Sequence, residues 1–173
     1  MPEDVEAISF QGRALSLRPL QSHDRRLLED LVARTELHDL QLRFFGALRS
    51  LSPGLLDHLM RIDPASRVTV VASRTTAEGE PEILAVGRAH VLTRGNAELA
   101  ILVRSDLKGL GLGSMLLDRL IARCHSRGIS ILLADVLPQN TRMLRLARKY
   151  GFRAETVHSG ITRLVLELGS LAA

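Results

Sequence analysis

The chain alternates between two hydrophobic periods, and the points where one gives way to the other mark its elements. Residues 14–17 alternate loosely and read as a first strand, which Arg18-Pro19 ends. Leu27, Leu28, Leu31 and Val32 then fall at i, i+1, i+4 and i+5, one apolar stripe of a helix over residues 23–34 capped by Ser22. A second helical stretch over residues 37–48 carries Phe44-Phe45, and Ser52-Pro53 opens a third over residues 55–62. Residues 67–74 and 83–92 read as a hairpin about Gly79, and Arg94-Gly95-Asn96 turns the chain into a strand over 97–103. Short turns between these three strands imply an antiparallel meander. A helix then runs to residue 127 and ends at Gly128. An apolar strand over 129–137 stops at Pro138, and a helix over 140–150 closes at Gly151. Residues 152–157 and 161–168 form a last hairpin around Ser159-Gly160. The order βαααβββαβαββ is an α+β fold: a mixed, mostly antiparallel central sheet flanked by helices, with one β-loop-α-β crossover. The pattern predicts a single domain over residues 1–173, of which 1–12 form a flexible or peripheral segment.

The crossover holds the most distinctive stretch. Between the strand ending at Val103 and the helix that follows lies Lys108-Gly109-Leu110-Gly111-Leu112-Gly113-Ser114, with three glycines at every second position. A helix start leaves backbone N–H groups unpaired, and glycines leave them without side chains in front. With the helix dipole, this suits a phosphate or pyrophosphate. A plain tight turn would not use glycine three times at a helix start, where each costs about 1 kcal/mol. Spacing excludes a Walker A loop, since no Gly-x-x-x-x-Gly-Lys-Ser/Thr occurs. The dinucleotide fingerprint fails too: counted from Gly109 it ends on Ser114, and counted from Gly111 it ends on Leu116.

Composition narrows the classes. Across 173 residues the apolar share is 46% and the charged share 24%, ordinary for a globular protein. The longest apolar runs are too short to span a bilayer, and the acidic start MPEDVEAISF is unlike a signal peptide, so a cytoplasmic protein without a membrane partner is expected. Cys124 is the lone cysteine, falls on an apolar helix side and reads as a small buried filler. Six scattered histidines show no metal-ligand spacing, so no metal site is expected. Of 23 basic residues only Lys108 and Lys149 are lysine; the rest are arginine, and the net charge is +4. They are spread along the chain with 3% aromatic content, so neither a basic stripe nor stacking platforms for nucleic acid are present.

The pattern that fits the loop is Lys/Arg/Gln-x-x-Gly-x-Gly/Ala after a strand, followed by Asn140 beyond the next strand and Gly151-Phe152 beyond the next helix. In these motifs, and in element order from about residue 15 to 168, the sequence resembles the GNAT acetyltransferase family. The run over residues 97–113, with Arg43-Phe44-Phe45 and residues 143–152, resembles most the catalytic domain of bacterial protein lysine acetyltransferases of the Pat type. Those enzymes acetylate an active-site lysine of acyl-CoA synthetases. They usually carry a synthetase-like or cyclic-nucleotide domain as well, which this sequence does not show.

The resemblance implies acetyl-CoA, or another short acyl-CoA, as the donor. It implies that Lys108, Gly109, Leu110, Gly111, Leu112, Gly113 and Ser114 form the pyrophosphate loop. The backbone of Ile101, Leu102 and Val103 would pair with the pantetheine arm, and Asn140 would hydrogen-bond the arm or its acetyl end. Amine acetylation needs a neutral amine, and a lysine amine has a pKa of about 10.4, so a base must help. The resemblance implies Glu98 in that role, on the same strand as the cofactor-binding backbone; the competing reading is a carboxylate paired with Arg88 or Arg94. Many relatives protonate the leaving thiolate with a tyrosine that would fall at position 147, where this chain has Ala147; its one tyrosine, Tyr150, reads as a packing residue. The acceptor implied is a protein lysine. A small-molecule amine acceptor, or an acyl-CoA sensor without catalysis, are the alternatives, and the chain is expected as a monomer or homodimer.

Overall fold

The computed structural model describes residues 5–45 and 52–169. Eight strands form one sheet: β1 (Glu6–Phe10), β2 (Arg13–Arg18), β3 (Arg67–Thr75), β4 (Pro81–Thr93), β5 (Asn96–Val103), β6 (Ile131–Val136), β7 (Arg153–His158) and β8 (Ile161–Glu167). Their order across the sheet is β1-β2-β3-β4-β5-β6-β8-β7. Every neighbouring pair is antiparallel except β5 and β6, which are parallel. That pair needs a crossover, and helix α4 (Leu112–Ser126) supplies it.

Alternation along the strands sends side chains to two cores. On one face Ala97 and Leu99 of β5 join Leu116, Leu117, Leu120 and Cys124 of α4, with Ala147 from helix α5 (Thr141–Lys149). On the other, Leu102 and Val86 join Leu28 and Leu31 of α1 (Arg25–Ala33), Leu40 of α2 (Leu37–Phe44) and Leu56 and Leu59 of α3 (Pro53–Met60). The three amino-terminal helices thus cover one face of the sheet and the crossover helix the other.

Two local expectations change. Residues 6–10, expected in a flexible or peripheral segment, are strand β1; it sits at the sheet edge, but Phe10 is buried against the core and Glu6 pairs with Arg119 of α4. Ser22 does not cap α1. It opens a short 3-10 turn, Ser22–Asp24, and Asp24 accepts the Gln21 N–H at 2.8 Å while taking both arms of Arg18 at 2.7 and 2.8 Å. A carboxylate can take all three donors, which a hydroxyl cannot. Ser52 does cap α3, accepting the Leu55 N–H at 3.2 Å with Pro53 at the first turn. The expected end of the second helix, residues 46–48, lies outside the described residues. No helix among the described residues is long and apolar enough to cross a membrane.

Candidate active site

The central feature is a parting of strands. β5 pairs with β4 along its length, to Ala85 opposite Val103. Its pairing with β6 stops early, at Asn96–Ile131, Ala97–Leu132 and Glu98–Leu133. Beyond Glu98 the two parallel strands splay, so the backbone of residues 99–103 faces a gap instead of a ladder. Unpaired strand backbone is a ready template for an extended ligand.

The gap opens into a cleft of about 550 Å³, a size typical of small-molecule sites. Its wall includes Ile101, Leu102 and Val103 from the splayed strand, Lys108, Gly109, Gly111, Gly113 and Ser114 from the loop, and Asn140 at the head of α5. Of the residues singled out from the sequence, Leu110 and Leu112 do not line it. Leu110 points to solvent at 42% exposure, and Leu112 is sunk in the core at 1%, anchoring the first turn of α4. Alternation explains the outcome: the glycines face the cleft, and the leucines between them face elsewhere.

The glycines serve different needs. Gly109 and Gly111 hold φ of +77° and +94°, the left-handed region that other residues avoid, and Gly111 is the N-cap of α4. Gly113 is outside that region, and a Cβ there would sit 3.4 Å from Leu146 Cδ2, an ordinary contact. Nothing in the chain itself demands glycine at 113, and an added Cβ at 111 would meet no atom within 4 Å. Both positions leave cleft floor open, which is how a cradle for a phosphate group is built. The residues present therefore fit an acyl-CoA.

Lys108 is tied to the protein: its Nζ is 2.5 Å from Asp39 on α2. Asp39 also accepts the Ser105 hydroxyl at 2.6 Å, and Ser105 in turn accepts the Glu36 N–H at 2.8 Å. Burial acts to raise the Asp39 pKa, but the hydrogen bonds from Lys108 and Ser105 outweigh it and hold it below the usual carboxylate value. This network fastens α2 to the loop. One turn on, at i+4, Arg43 lines the cleft as well.

Arg142, Arg145 and Lys149 of α5 also line the cleft, at i, i+3 and i+7 on one helical face. Sequence reasoning passed over them, although their spacing against Met143 and Leu146 was a visible amphipathic signal. Asn140 caps this helix, its Oδ1 accepting the Met143 N–H at 3.2 Å, which leaves its Nδ2 as the donor for a ligand.

Glu98 lies beside the main cleft in a narrow slot of about 40 Å³, with Arg43, Ala100, Asp135, Asn140 and Met143. Arg43, Ile101, Asn140 and Met143 are common to slot and cleft, so the two adjoin. Arg88 does not pair with Glu98; it donates to the carbonyls of His58 at 2.8 Å and Arg61 at 3.2 Å. Arg94 forms no ion pair with Glu98 either; the guanidiniums of Arg43 and Arg163 both feel the Glu98 charge. Arg43 stacks 4.6 Å from the Phe44 ring centre, its Nε is buried without a hydrogen-bond partner, and burial pushes its guanidinium down to about 10 while Glu98 opposes that shift. Asp135 is occupied, held by both arms of Arg163 at 2.7 Å.

At position 147 the alanine is fully buried in the core. Tyr150 donates its hydroxyl to the Ser114 carbonyl at 3.1 Å, clamping α5 to the first turn of α4, and it does not line the cleft.

Known proteins are similar to this chain in sequence and in fold. An acetyltransferase of Pseudomonas aeruginosa is 28% identical over 165 residues, 95% of this chain and 88% of that protein. An L-methionine sulfoximine/L-methionine sulfone acetyltransferase of Pseudomonas aeruginosa is 37% identical over 59 residues, 34% of each chain. Among solved structures, the GNAT domain of S. lividans PAT superposes with a TM-score of 0.83 at 25% identity, covering 94% of this chain and 96% of that domain. The model of the acetyltransferase (GNAT) family matches residues 34–152. That span holds the splayed strand, the glycine loop, the capped helix and the α2 wall, the parts that bound the cleft, and the chain belongs to the acetyltransferase (GNAT) family.

Proposed function

We propose that this GNAT enzyme moves an acetyl group from acetyl-CoA to the side-chain amine of a protein lysine, as on an acyl-CoA synthetase, with Glu98 as general base. The observation that carries this reading is the parting of β5 from β6 at Glu98. It sets a carboxylate at the rim of a gap that continues into the glycine-floored cleft. In this reading the backbone N–H groups from Gly109 to Ser114 hold the pyrophosphate. Residues 101–103 take the pantetheine arm as an added strand, and the Asn140 amide donates to it. Lys108 acts through its tie to Asp39, keeping loop and wall together.

The amine enters from the slot. The lysine ammonium gives one proton to solvent, the lone pair so freed forms the C–N bond at the thioester carbon as the C–S bond breaks, and the surplus proton on that nitrogen passes to the Glu98 carboxylate. The thiolate takes its proton from solvent, since its pKa of about 8.5 makes it a fair leaving group without a tyrosine at position 147. The likeness to the S. lividans PAT domain supports the protein acceptor.

Incubation with labelled acetyl-CoA and purified acyl-CoA synthetases tests the acceptor. Label on a synthetase lysine is the expected result. Turnover of a small amine, with no label on any protein, would overturn it.

A further inference from the structure

The cleft and the Glu98 slot meet at Arg43, Ile101, Asn140 and Met143, and of these four Arg43 alone carries a charge. Leu102 of β5 lies in the core beneath α1 to α3. Side chains alternate along a strand, so Glu98 and Ala100, four and two positions earlier, share that face. Arg43 reaches the junction from the last turn of α2, where the helix dipole favours a cation. One turn earlier, Asp39 ties the same helix to Lys108 of the glycine loop, so the guanidinium is held in place from the cofactor side of the cleft.

This guanidinium is desolvated yet not engaged. Its Nε has no hydrogen-bond partner among the described residues, and no ion pair joins it to Glu98, although the two charges feel each other. Stacking 4.6 Å from the Phe44 ring centre holds its plane, and a stacked guanidinium keeps its N–H edge free to donate. The other charges about the junction are taken or stand apart. Asp39 is held by Lys108 and Ser105, and Asp135 by Arg163. Arg142, Arg145 and Lys149 line the cleft but not the slot. Arg88 and His58 feel the Arg43 charge, and Arg88 is turned onto the His58 and Arg61 carbonyls.

A desolvated cation with unmet donors calls for an anion. The reaction makes one at this point. In the acyl-CoA reading, the pantetheine arm runs back from the glycine loop past Val103 toward Glu98, so its sulfur end arrives at Ile101, where slot and cleft join. When the C–S bond breaks, the electron pair stays on sulfur as a thiolate. No tyrosine meets it: position 147 is a buried alanine, and Tyr150 is turned onto the Ser114 carbonyl.

We propose that Arg43 receives the departing CoA thiolate, its guanidinium donating to the sulfur as the C–S bond breaks. The proposal rests on the reading of the cleft as the acyl-CoA site and on no choice of acceptor. Burial pushes the guanidinium down to about 10, still above the ordinary thiol value of about 8.5, so Arg43 keeps its proton and acts by charge. The sulfur takes its proton from solvent as CoA leaves. A cation already fixed in a water-poor site needs no reorganisation when the negative charge appears, and its attraction is stronger there than in water.

Calorimetric titration of CoA and of acetyl-CoA from about pH 6.5 to 9.5 tests this with the intact protein and no acceptor; acetyl-CoA, which has no free thiol, is the control. On the wild type, CoA affinity should rise about tenfold relative to acetyl-CoA as pH climbs, because the bound thiol ionises about one unit below its free value. Arg43→Gln should abolish that rise, and Arg43→Lys should keep part of it. In turnover with an acyl-CoA synthetase, Arg43→Gln should lower kcat about 10²-fold and leave the KM for acetyl-CoA nearly unchanged. A thiol that ionises at its free value when bound to the wild type would overturn the proposal, even if Arg43→Gln fails to fold. So would a fall in kcat with thiol ionisation unchanged, since Arg43 would then act through Glu98 alone. Failure of the wild type to bind acetyl-CoA would remove the acyl-CoA reading of the cleft and the proposal with it.

Discussion

Glu98→Gln removes a charge and keeps a shape. If Glu98 takes the amine proton, kcat should fall by about 10²-fold to 10⁴-fold while calorimetry reports an unchanged Kd for acetyl-CoA. Wild-type rates across pH would take Glu98 out of the chemistry. Gly111→Glu makes the complementary change: φ of +94° is strained for any other residue, and a carboxylate would face the proposed pyrophosphate. Acetyl-CoA binding should be lost, and an unchanged calorimetric affinity would refute the loop's role. Cys124 illustrates how far one residue can be read from its position in a pattern. Its place on an apolar helix side already implied a buried filler, and the thiol is fully buried, with burial pushing it up to about 11. A thiol reagent should leave the native protein unmodified and react after denaturation, because the thiolate is the nucleophile.

Helices α2 and α5 are the elements that turn a splayed sheet into a walled cleft. α5 presents Arg142, Arg145 and Lys149 along one face of the cleft. Replacing all three by alanine should raise the Kd for acetyl-CoA at least tenfold and flatten its salt dependence, as measured by titration at several ionic strengths, since contacts of charged groups to phosphate contribute about 1.5–3 kcal/mol each. Turnover at saturating acetyl-CoA should change little. The existence of both helices was legible from apolar spacing, as was the Asn140 position at the start of α5. The fastening of α2 was not. Asp39 meets Lys108 and Ser105 across 66 or more residues of sequence, and no local pattern encodes such a pairing.

For the molecule as a whole, three carboxylates link stability to pH. Asp24, Asp39 and Glu82 are each raised by burial, and each is carried below its ordinary value by stronger opposing contacts. For Asp24 these are the Arg18 pair and the Gln21 N–H; for Asp39, Lys108 and Ser105; for Glu82, Arg74 and Arg104. A folded pKa below the unfolded one means that the folded state binds fewer protons. The stabilisation is then complete above the unfolded values of about 4 and is lost as pH falls through the lower folded values. The thermal midpoint should fall steeply below about pH 4, as followed by circular dichroism, with only a shallow decline between about pH 6.5 and 5 from His58, which burial and then the charges of nearby arginines hold below its ordinary value. Asp24→Asn, which leaves the 14%-exposed Arg18 without its counter-charge, should lower stability by about 3 kcal/mol and weaken that acid dependence.

The sequence by itself determined the class of the fold, the antiparallel meander, the crossover helix and the glycine loop, because each is written in a local period or a short spacing that the backbone must obey. It also marked Glu98, Asn140 and Gly151-Phe152 through a family pattern. Tertiary structure alone decided that β1 adds an edge strand and that β8, rather than β7, lies beside β6. It decided that β5 leaves β6 at Glu98, and that Arg43 of α2, Arg67 of β3, Arg88 of β4 and Arg61, just past the end of α3, come near one another. The reason is physical: strand order, splay and charge convergence depend on contacts between residues far apart in the chain, and those are settled only when both faces of the sheet bury their cores together.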